Sequence, residues 1–306
     1  MSRSLYDIVI SFYEKEFGRL PDLKNPRGYN EKIQWLKLYD QMPEHTVCCD
    51  KLLARGYVAQ KAGSQCLLEV YQVARGVDGI NFDKLPKDYV LKTNHDSGTV
   101  NIVRNRKGLI KAKKNMRKKV GKLYGYAEGE WAYTHVYPYV FAEEFMNDEI
   151  VDYKFHCSFG EIKWVQIISD RDSGKPTEVI TDEHLEVMGL HFDHKMTHTR
   201  VLPEQPECWE EMVEIAKKLS ADFKYVRVDL YNYKGRAIFG ELTFWPLAGA
   251  YKTADEPKFG ELLDILTETR RPPLHEQFDY RSVRRTPLQY VKDKIQERLY
   301  RFGLLR

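Results

Sequence analysis

Residues 225–243 read YVRVDLYNYKGRAIFGELT, and this stretch decides the fold. Two alternating runs, Tyr225 to Tyr233 and Arg236 to Thr243, flank Lys234-Gly235, which is the pattern of a hairpin. Arg227 and Asp229 stand two apart and share a face of the first strand; Glu241 and Thr243 share a face of the second. If the connection has three residues, or two plus a bulge, Asp229 and Glu241 come directly opposite each other. Facing carboxylates repel unless a cation lies between them. Magnesium suits that place because it takes one or two carboxylates together with phosphate oxygens. The same spacing also fits a solvated strand face on which Arg227 pairs with its neighbours.

Working outward, Val151 to Phe159 and Glu161 to Ser169 meet at Gly160 as another hairpin. Trp209, Met212, Val213, Ala216 and Leu219 mark an amphipathic helix ahead of the quoted stretch. Between them, residues 171–207 are polar and aperiodic, which predicts a loop-rich insertion. His184, His191, His194 and His198 within it are spaced by seven, three and four, which matches no zinc pattern. Further upstream, Tyr139 to Ala142 predicts a buried strand running into Glu143-Glu144-Phe145-Met146, with Asn147-Asp148 as its break. Tyr89 to Thr93 predicts another, ending at Lys92 and a small-residue loop, Asn94-His95-Asp96-Ser97-Gly98-Thr99, able to aim backbone N–H groups at phosphate. Burying a lysine without a partner is costly, so Lys92 reads as functional. The loop is not GxxxxGK[ST], and GxGxxG is absent, which disfavours P-loop and Rossmann readings. Helical stripes (Leu5, Ile8, Val9, Phe12; Ile33, Leu36, Tyr39) and a helix over Asp50 to Ala62 precede all of this. Helices first, then mixed helices and hairpins, predict an α+β fold.

At 306 residues and 42% hydrophobic composition, the chain can bury a core of two or three modest subdomains. No apolar run is long enough to span a membrane, and the charged start MSRSLYDIVISFYEKEF does not read as a signal peptide, so the expected location is cytoplasmic. Five cysteines without CxxC spacing support neither a disulfide framework nor a zinc knuckle. A net charge of +3 argues against a nucleic-acid binder, but the cations cluster. Arg104 to Lys122 holds ten Lys or Arg and no acid, and Arg281 to Arg306 holds eight against Asp293 and Glu297. The second segment, with Leu288, Val291, Ile295, Leu299 and Phe302 at helical spacing, reads as a basic amphipathic helix. It either docks on the core or meets anionic lipid or a lipid-linked substrate.

These features in this order resemble the ATP-grasp superfamily, and the D-alanine:D-alanine ligases within it. The resemblance implies two α+β subdomains clasping ATP, here residues 71–146 (small, with the phosphate loop) and 147–265 (large, with metal and catalytic residues). A helical N-terminal region, 1–70, precedes them and a basic helical tail, 266–306, follows. It implies nucleotide contacts from Lys51, which follows Asp50 at a helix start, from Lys92, and from the loop residues His95, Ser97, Gly98 and Thr99. Adenine would meet Glu143, Glu144, Phe145 and Met146, and ribose Asp152. Arg227 becomes catalytic, and Asp229, Glu241 and Thr243 become magnesium ligands; Thr243 stands where the superfamily usually has asparagine. More narrowly, YNEKIQWLKLYD, DYVLKTNHDSG, FAEEFM, VDYKFHCSFG and FGELTFWP resemble the TupA-like ATP-grasp proteins, named for teichuronopeptide synthesis. That branch implies a cell-surface polysaccharide context, with a uronic acid carboxylate as donor and an amine or amino acid as acceptor. It also adds Lys154 as a cation for phosphate or donor, a position that equally fits a solvated strand lysine.

The expected reaction is an Mg-ATP-dependent ligation through an acyl phosphate, with Arg227 stabilising the tetrahedral intermediate. No side chain is an obvious base for the amine; His95 and His156 are the candidates. A sugar-transferring enzyme would leave Lys51, Lys92 and Glu143 to Met146 without a role. A kinase would release a phosphorylated product without needing an amine, and a non-catalytic binding subunit would bind ATP without turnover.

Overall fold

The computed structural model describes residues 4–146 and 150–265. Ser4 starts the chain's first helix. Its hydroxyl accepts from Asp7 N at 3.1 Å, the Asp7 carboxylate accepts from Ser4 N at 3.1 Å, and Gly18 ends the helix at φ 68°. This is α1 (Leu5–Phe17), followed by α2 (Tyr29–Tyr39), α3 (Pro43–Cys49) and α4 (Ala54–Ala62).

A four-stranded antiparallel sheet comes next, built from β1 (Val70–Ala74), β2 (Tyr89–Thr93), β3 (Val100–Val103) and, after α5 (Arg106–Lys119) and the short α6 (Trp131–Thr134), β4 (Val140–Glu144). Its order is β1-β4-β2-β3. Side chains alternate across a strand. Tyr89, Leu91, Val140 and Ala142 therefore pack with Ala112 and Met116 of α5, while Val90, Lys92, Phe141 and Glu143 occupy the opposite face. Helix α5 thus backs the sheet on the side away from Lys92.

The larger sheet contains β5 (Asp152–Ser158), β6 (Glu161–Ser169), β7 (Thr177–Thr181), β8 (Thr197–His198), and, after α7 (Trp209–Ser220), β9 (Val226–Tyr233) and β10 (Arg236–Thr243). Its order is β10-β9-β5-β6-β7-β8, antiparallel apart from the β7–β8 pair. Every residue of β5 is buried, because both faces are covered. On one face, Tyr153 and Phe155 meet the Trp209 ring of α7 at 5.8 and 5.4 Å. On the other, Tyr225, Trp164 and His156 lie under Tyr29 of α2, Phe192, Tyr251 and Phe259 of α8 (Glu256–Leu262). Helices α1, α2 and α3 share this core with the large sheet.

The predicted loop-rich insertion over 171–207 is corrected. It carries β7 and β8, which extend the large sheet through pairs such as Gln166 with Ile180 and Glu178 with His198. Thr177-Glu178-Val179-Ile180-Thr181 does not alternate, its two apolar residues being adjacent, and nothing marks it as a strand before β6 is in place beside it. The expected strand-ending residues Asn147-Asp148 and the basic C-terminal helix lie outside the described residues. Among the described residues, no helix is long and apolar enough to cross a membrane.

Candidate active site

The hairpin of β9 and β10 turns through two residues, Lys234 (φ 56°) and Gly235 (φ 72°), both in the left-handed region that tight hairpins need. Its register then slips between Phe239 and Glu241, so Gly240 is a bulge and Glu241 comes opposite Asp229, with Thr243 opposite Arg227. Without that extra residue Glu241 would face Val228 on the wrong side of the sheet. Glycine is required there, because a Cβ at Gly240 would stand 2.6 Å from Cε2 of Tyr231 and 3.1 Å from the Asp229 carbonyl oxygen.

Across the sheet the pairing continues from Glu241 to Asp229, Lys154 and Gln166, giving one polar row on a shared face. Arg227 donates from Nε to Asp229 Oδ1 at 2.6 Å and from Nη2 to Oδ2 at 2.8 Å, a forked pair. The same Nη2 reaches Glu241 Oε1 at 3.2 Å and Thr243 Oγ1 at 3.1 Å. Lys154 donates to Asp229 and lies 4.0 Å from Asp152, which also pairs with Arg171. Lys51 Nζ stands 3.9 Å from Glu241 Oε2. Burial favours the neutral form of Glu241, but Lys51, Arg227 and Lys154 outweigh it and hold the carboxyl down at about 2. Asp229 and Glu241 in turn keep the Arg227 guanidinium protonated well above its usual range despite its burial. The arginine pairing of the alternative reading is therefore present, but on a buried rather than a solvated face, and the carboxylates and cations of the row neutralise one another.

Lys51 joins this row to the phosphate loop. Its backbone N–H donates to Asn94 O at 3.0 Å and its ammonium to the Asp96 carbonyl. The loop is closed on itself, because the Thr93 and Thr99 hydroxyls both donate to the buried Asp96 carboxylate. The Thr99 hydroxyl is thus engaged within the loop. Ser97 and Gly98 form the exposed tip, with Gly98 at φ 73°. His95 is buried, its Nε2 3.2 Å from Lys122 O, and burial lowers its pKa.

Lys92 pairs with Glu143 on the face of the small sheet opposite α5. Glu144 donates its backbone N–H to Glu69 O at 2.9 Å, Phe145 lies 4.7 Å under the Arg104 guanidinium, and Met146 packs near Leu68 and Tyr233. The structure thus gathers the expected residues into three groups. Arg227, Lys154, Asp152, Asp229, Glu241 and Thr243 form one; Lys51 and the loop of His95, Ser97, Gly98 and Thr99 form the second; Lys92 with Glu143 to Met146 forms the third. Lys51 bridges the first two, a link with no signal in residue type or spacing.

One expectation is corrected. His156 is sealed at 0% exposure, stacked 4.4 Å from Trp164 with Nδ1 2.8 Å from Tyr225 Oη, and burial with nearby Arg227 and Lys154 pushes its pKa well below normal. A group closed off in this way cannot relay an amine proton to water. The histidine-rich segment forms no metal site among the described residues; His191 and His198 stack on each other at 4.0 Å.

The segment after β10 is fixed from a distance. Leu247 (φ 49°), Ala248 (φ 52°) and Gly249 (φ 67°) form a left-handed turn, which costs about 1–2 kcal/mol at each non-glycine residue and persists only when its surroundings dictate it. Three fully buried polar side chains of α2 do so. Asn30 clamps Tyr251 through its backbone N–H (3.0 Å) and carbonyl (2.7 Å). Gln34 donates to Ala248 O (3.0 Å) and Gly249 O (3.1 Å). Lys37 donates to Gln34 Oε1 (2.9 Å), Glu128 O (2.7 Å) and Ala248 O (2.8 Å).

Asp229 and Glu241 with the Thr243 hydroxyl offer hard oxygen donors on one face, which fits magnesium better than any softer metal. A small antiparallel sheet bearing a lysine and a small-residue loop, set beside a larger sheet bearing opposed carboxylates and an arginine, defines the ATP-grasp class. Within it, the chain belongs to the TupA-like ATPgrasp family, whose model matches residues 31–264. Among solved structures it is similar to D-alanine–D-alanine ligase from Helicobacter pylori, at 18% identity and TM-score 0.47 over 72% of this chain and 61% of that one. D-alanine–D-alanine ligase from Bacillus anthracis complexed with ATP gives 18% and 0.43 over 73% and 64%. L-amino acid ligase from Bacillus licheniformis gives 15% and 0.43 over 78% and 54%. The chain thus spans between 54 and 64% of the length of these three. No curated protein matches it in sequence.

Proposed function

We propose that the protein is an Mg-ATP-dependent carboxylate–amine ligase, which activates a uronic acid carboxylate of a cell-surface polysaccharide precursor as an acyl phosphate and transfers it to an amine or amino acid. The observation that carries this reading is the Gly240 bulge, which sets Glu241 against Asp229 beside Arg227, with Lys51 tying the pair to the phosphate loop. Membership of the TupA-like family supports the polysaccharide context. The setting is the cytoplasm, where ATP is available.

Asp229, Glu241 and Thr243 would hold magnesium, which when bound neutralises phosphate charge. Lys51, Lys92 and the backbone N–H groups around Ser97 and Gly98 receive the triphosphate, while Glu143 to Met146 take the base and Asp152 the ribose. A charge exchange follows from the pairing. Lys154 and Arg227 neutralise Asp229, and with magnesium held on that carboxylate both cations would be available to phosphate or donor. The donor carboxylate attacks the γ-phosphorus, the terminal phosphoryl group passes to it, and ADP leaves. The amine then attacks the acyl carbon and inorganic phosphate leaves, with Arg227 donating to the developing oxyanion. No buried histidine serves as base, so the amine proton leaves through solvent or the departing phosphate.

Magnesium-dependent release of ADP and phosphate, with uronic acids and sugar-nucleotide uronates set against pooled amino acids and simple amines, tests this. Release requiring both partners, and abolished by Asp229→Ala and by Glu241→Ala, is expected. Nucleotide that fails to bind at all would overturn the reading, and a stable phosphorylated uronate formed without any amine would replace ligase with kinase.

A further inference from the structure

Among the described helices, α5 is unlike the others in the face it presents to solvent. Lys107, Lys111, Lys114 and Lys118 recur at i, i+4, i+7 and i+11, so they line one side of the helix over roughly 16 Å. All four are exposed, and no acid occurs anywhere between Arg104 and Lys122. Like charges three or four apart on a helix repel and weaken it. The fold gains nothing from this arrangement. The core needs from α5 only its opposite face, where Ala112 and Met116 are buried at 1% and 0% exposure. Among the described residues the ion pair of the helix, Arg117 to Asp78 at 2.6 Å, lies on its flank, outside the lysine stripe.

The surroundings indicate what the stripe meets. It faces away from Lys92 and Glu143, which sit on the far side of the small sheet, so it is not placed to neutralise the nucleotide. Ile110 stands among the lysines at 63% exposure, and Leu123, just beyond Lys122, is 42% exposed. Long flexible lysines around exposed aliphatic side chains match a lipid headgroup layer, where ammonium groups reach phosphates and the aliphatic groups enter the interface. A nucleic-acid groove would instead favour arginine forks and stacking aromatic rings, and the solvent face of α5 has no aromatic residue.

We propose that the solvent face of α5 docks the protein on an anionic membrane surface, with Lys107, Lys111, Lys114 and Lys118 against lipid phosphates and Ile110 in the interfacial layer. The nucleotide face of the small sheet is then turned away from the lipid and left open. The inference is independent of the proposed reaction.

Co-sedimentation of the full chain with vesicles tests it, comparing phosphatidylcholine alone with phosphatidylcholine containing about 30% phosphatidylglycerol. Binding to the anionic vesicles alone is expected, falling steeply between about 0.1 and 0.5 M salt. The variant K107Q/K111Q/K114Q/K118Q should lose about fivefold per lysine, or several hundredfold in all, with an unchanged thermal melt. The four-arginine counterpart, which keeps the charge, should retain binding. Anionic-vesicle binding that survives in the glutamine variant would place the contact elsewhere on the chain and overturn the proposal. So would failure of the wild type to bind vesicles, or retention of duplex DNA in preference to them.

Discussion

Replacing Arg227 by methionine removes the forked donor from Asp229 and a contact from Glu241 while keeping much of the side-chain volume. Its guanidinium makes bonds of 2.6 and 2.8 Å to Asp229 and 3.2 Å to Glu241, and Asp229 is left with Lys154 alone. Breaking a buried pair by deleting one partner costs about 3–5 kcal/mol, because the surviving charge stays desolvated. For a chain of this size each kcal/mol moves the melting temperature by about 2–4 °C, so the fall should be about 6–20 °C in buffer containing a chelator. Magnesium with ADP should restore a larger share of stability to the variant than to the wild type, since a bound cation replaces the missing charge on the same carboxylates. Turnover should fall by about 10²–10³ whatever the stability, because the oxyanion donor is gone. Urea and thermal melts with chelator or with magnesium and ADP, beside phosphate release, read all three. A variant as stable as wild type in chelator, or one that gains no more from magnesium and nucleotide than wild type does, would refute the idea that Arg227 and the metal share these carboxylates.

Gly240→Ala forces the new Cβ against Tyr231 and the Asp229 carbonyl, so a loss of about 1–3 kcal/mol is expected in urea melts, together with weakened magnesium-dependent nucleotide binding as Glu241 is displaced. Lys37→Met leaves Gln34 Oε1 and the Glu128 carbonyl without this donor, while Ala248 O keeps Gln34, and should cost about 2–6 kcal/mol by denaturant melt at about 1–3 for each unsatisfied acceptor; Lys37→Arg, too large for the site, should not rescue it. Burial lowers His45 to about 3, so the unfolded chain takes up a proton below about 6.5 that the folded chain refuses, and stability is lost as pH falls, by about 1.4 kcal/mol per unit. Asp40, whose Oδ2 is 3.7 Å from His45 Nε2, is raised to about 6 by burial and opposes that loss between about 6 and 4. Asp40→Asn should therefore steepen the acid decline measured by urea melts across this range, and an unchanged slope would refute the assignment. Thr243→Asn supplies an amide carbonyl in place of a hydroxyl and should tighten magnesium binding in nucleotide titrations; an unchanged affinity would remove Thr243 from the ligand set.

The hairpin of β9 and β10 was legible because alternation and a Lys-Gly turn are local signals, and the bulge was foreseen only as one of two ways to oppose Asp229 and Glu241. β7 was not legible, since its short polar run becomes a strand only against β6. Nor was the burial of α2 readable. Its apolar stripe, Ile33, Leu36 and Tyr39, suggests a helix with one wet side, yet Asn30, Gln34 and Lys37 on the other side are buried as well. Their partners are mainly backbone groups of Glu128 and residues 248–251, and a backbone group leaves no trace in a sequence. The Lys51 bridge escaped for the same reason, its loop partner being the Asp96 carbonyl.

The clamp between Asn30 and Tyr251 joins residues 221 positions apart. At about 5–20 residues per second of synthesis, the N-terminal helix waits about 10–45 s for the segment it fixes to be made. Through that interval α2 carries buried-type amides and an ammonium with nothing to receive them, so no shorter nascent chain holds a finished site. The candidate site is thereby completed only once nearly the whole of the family-matched region, residues 31–264, has been made.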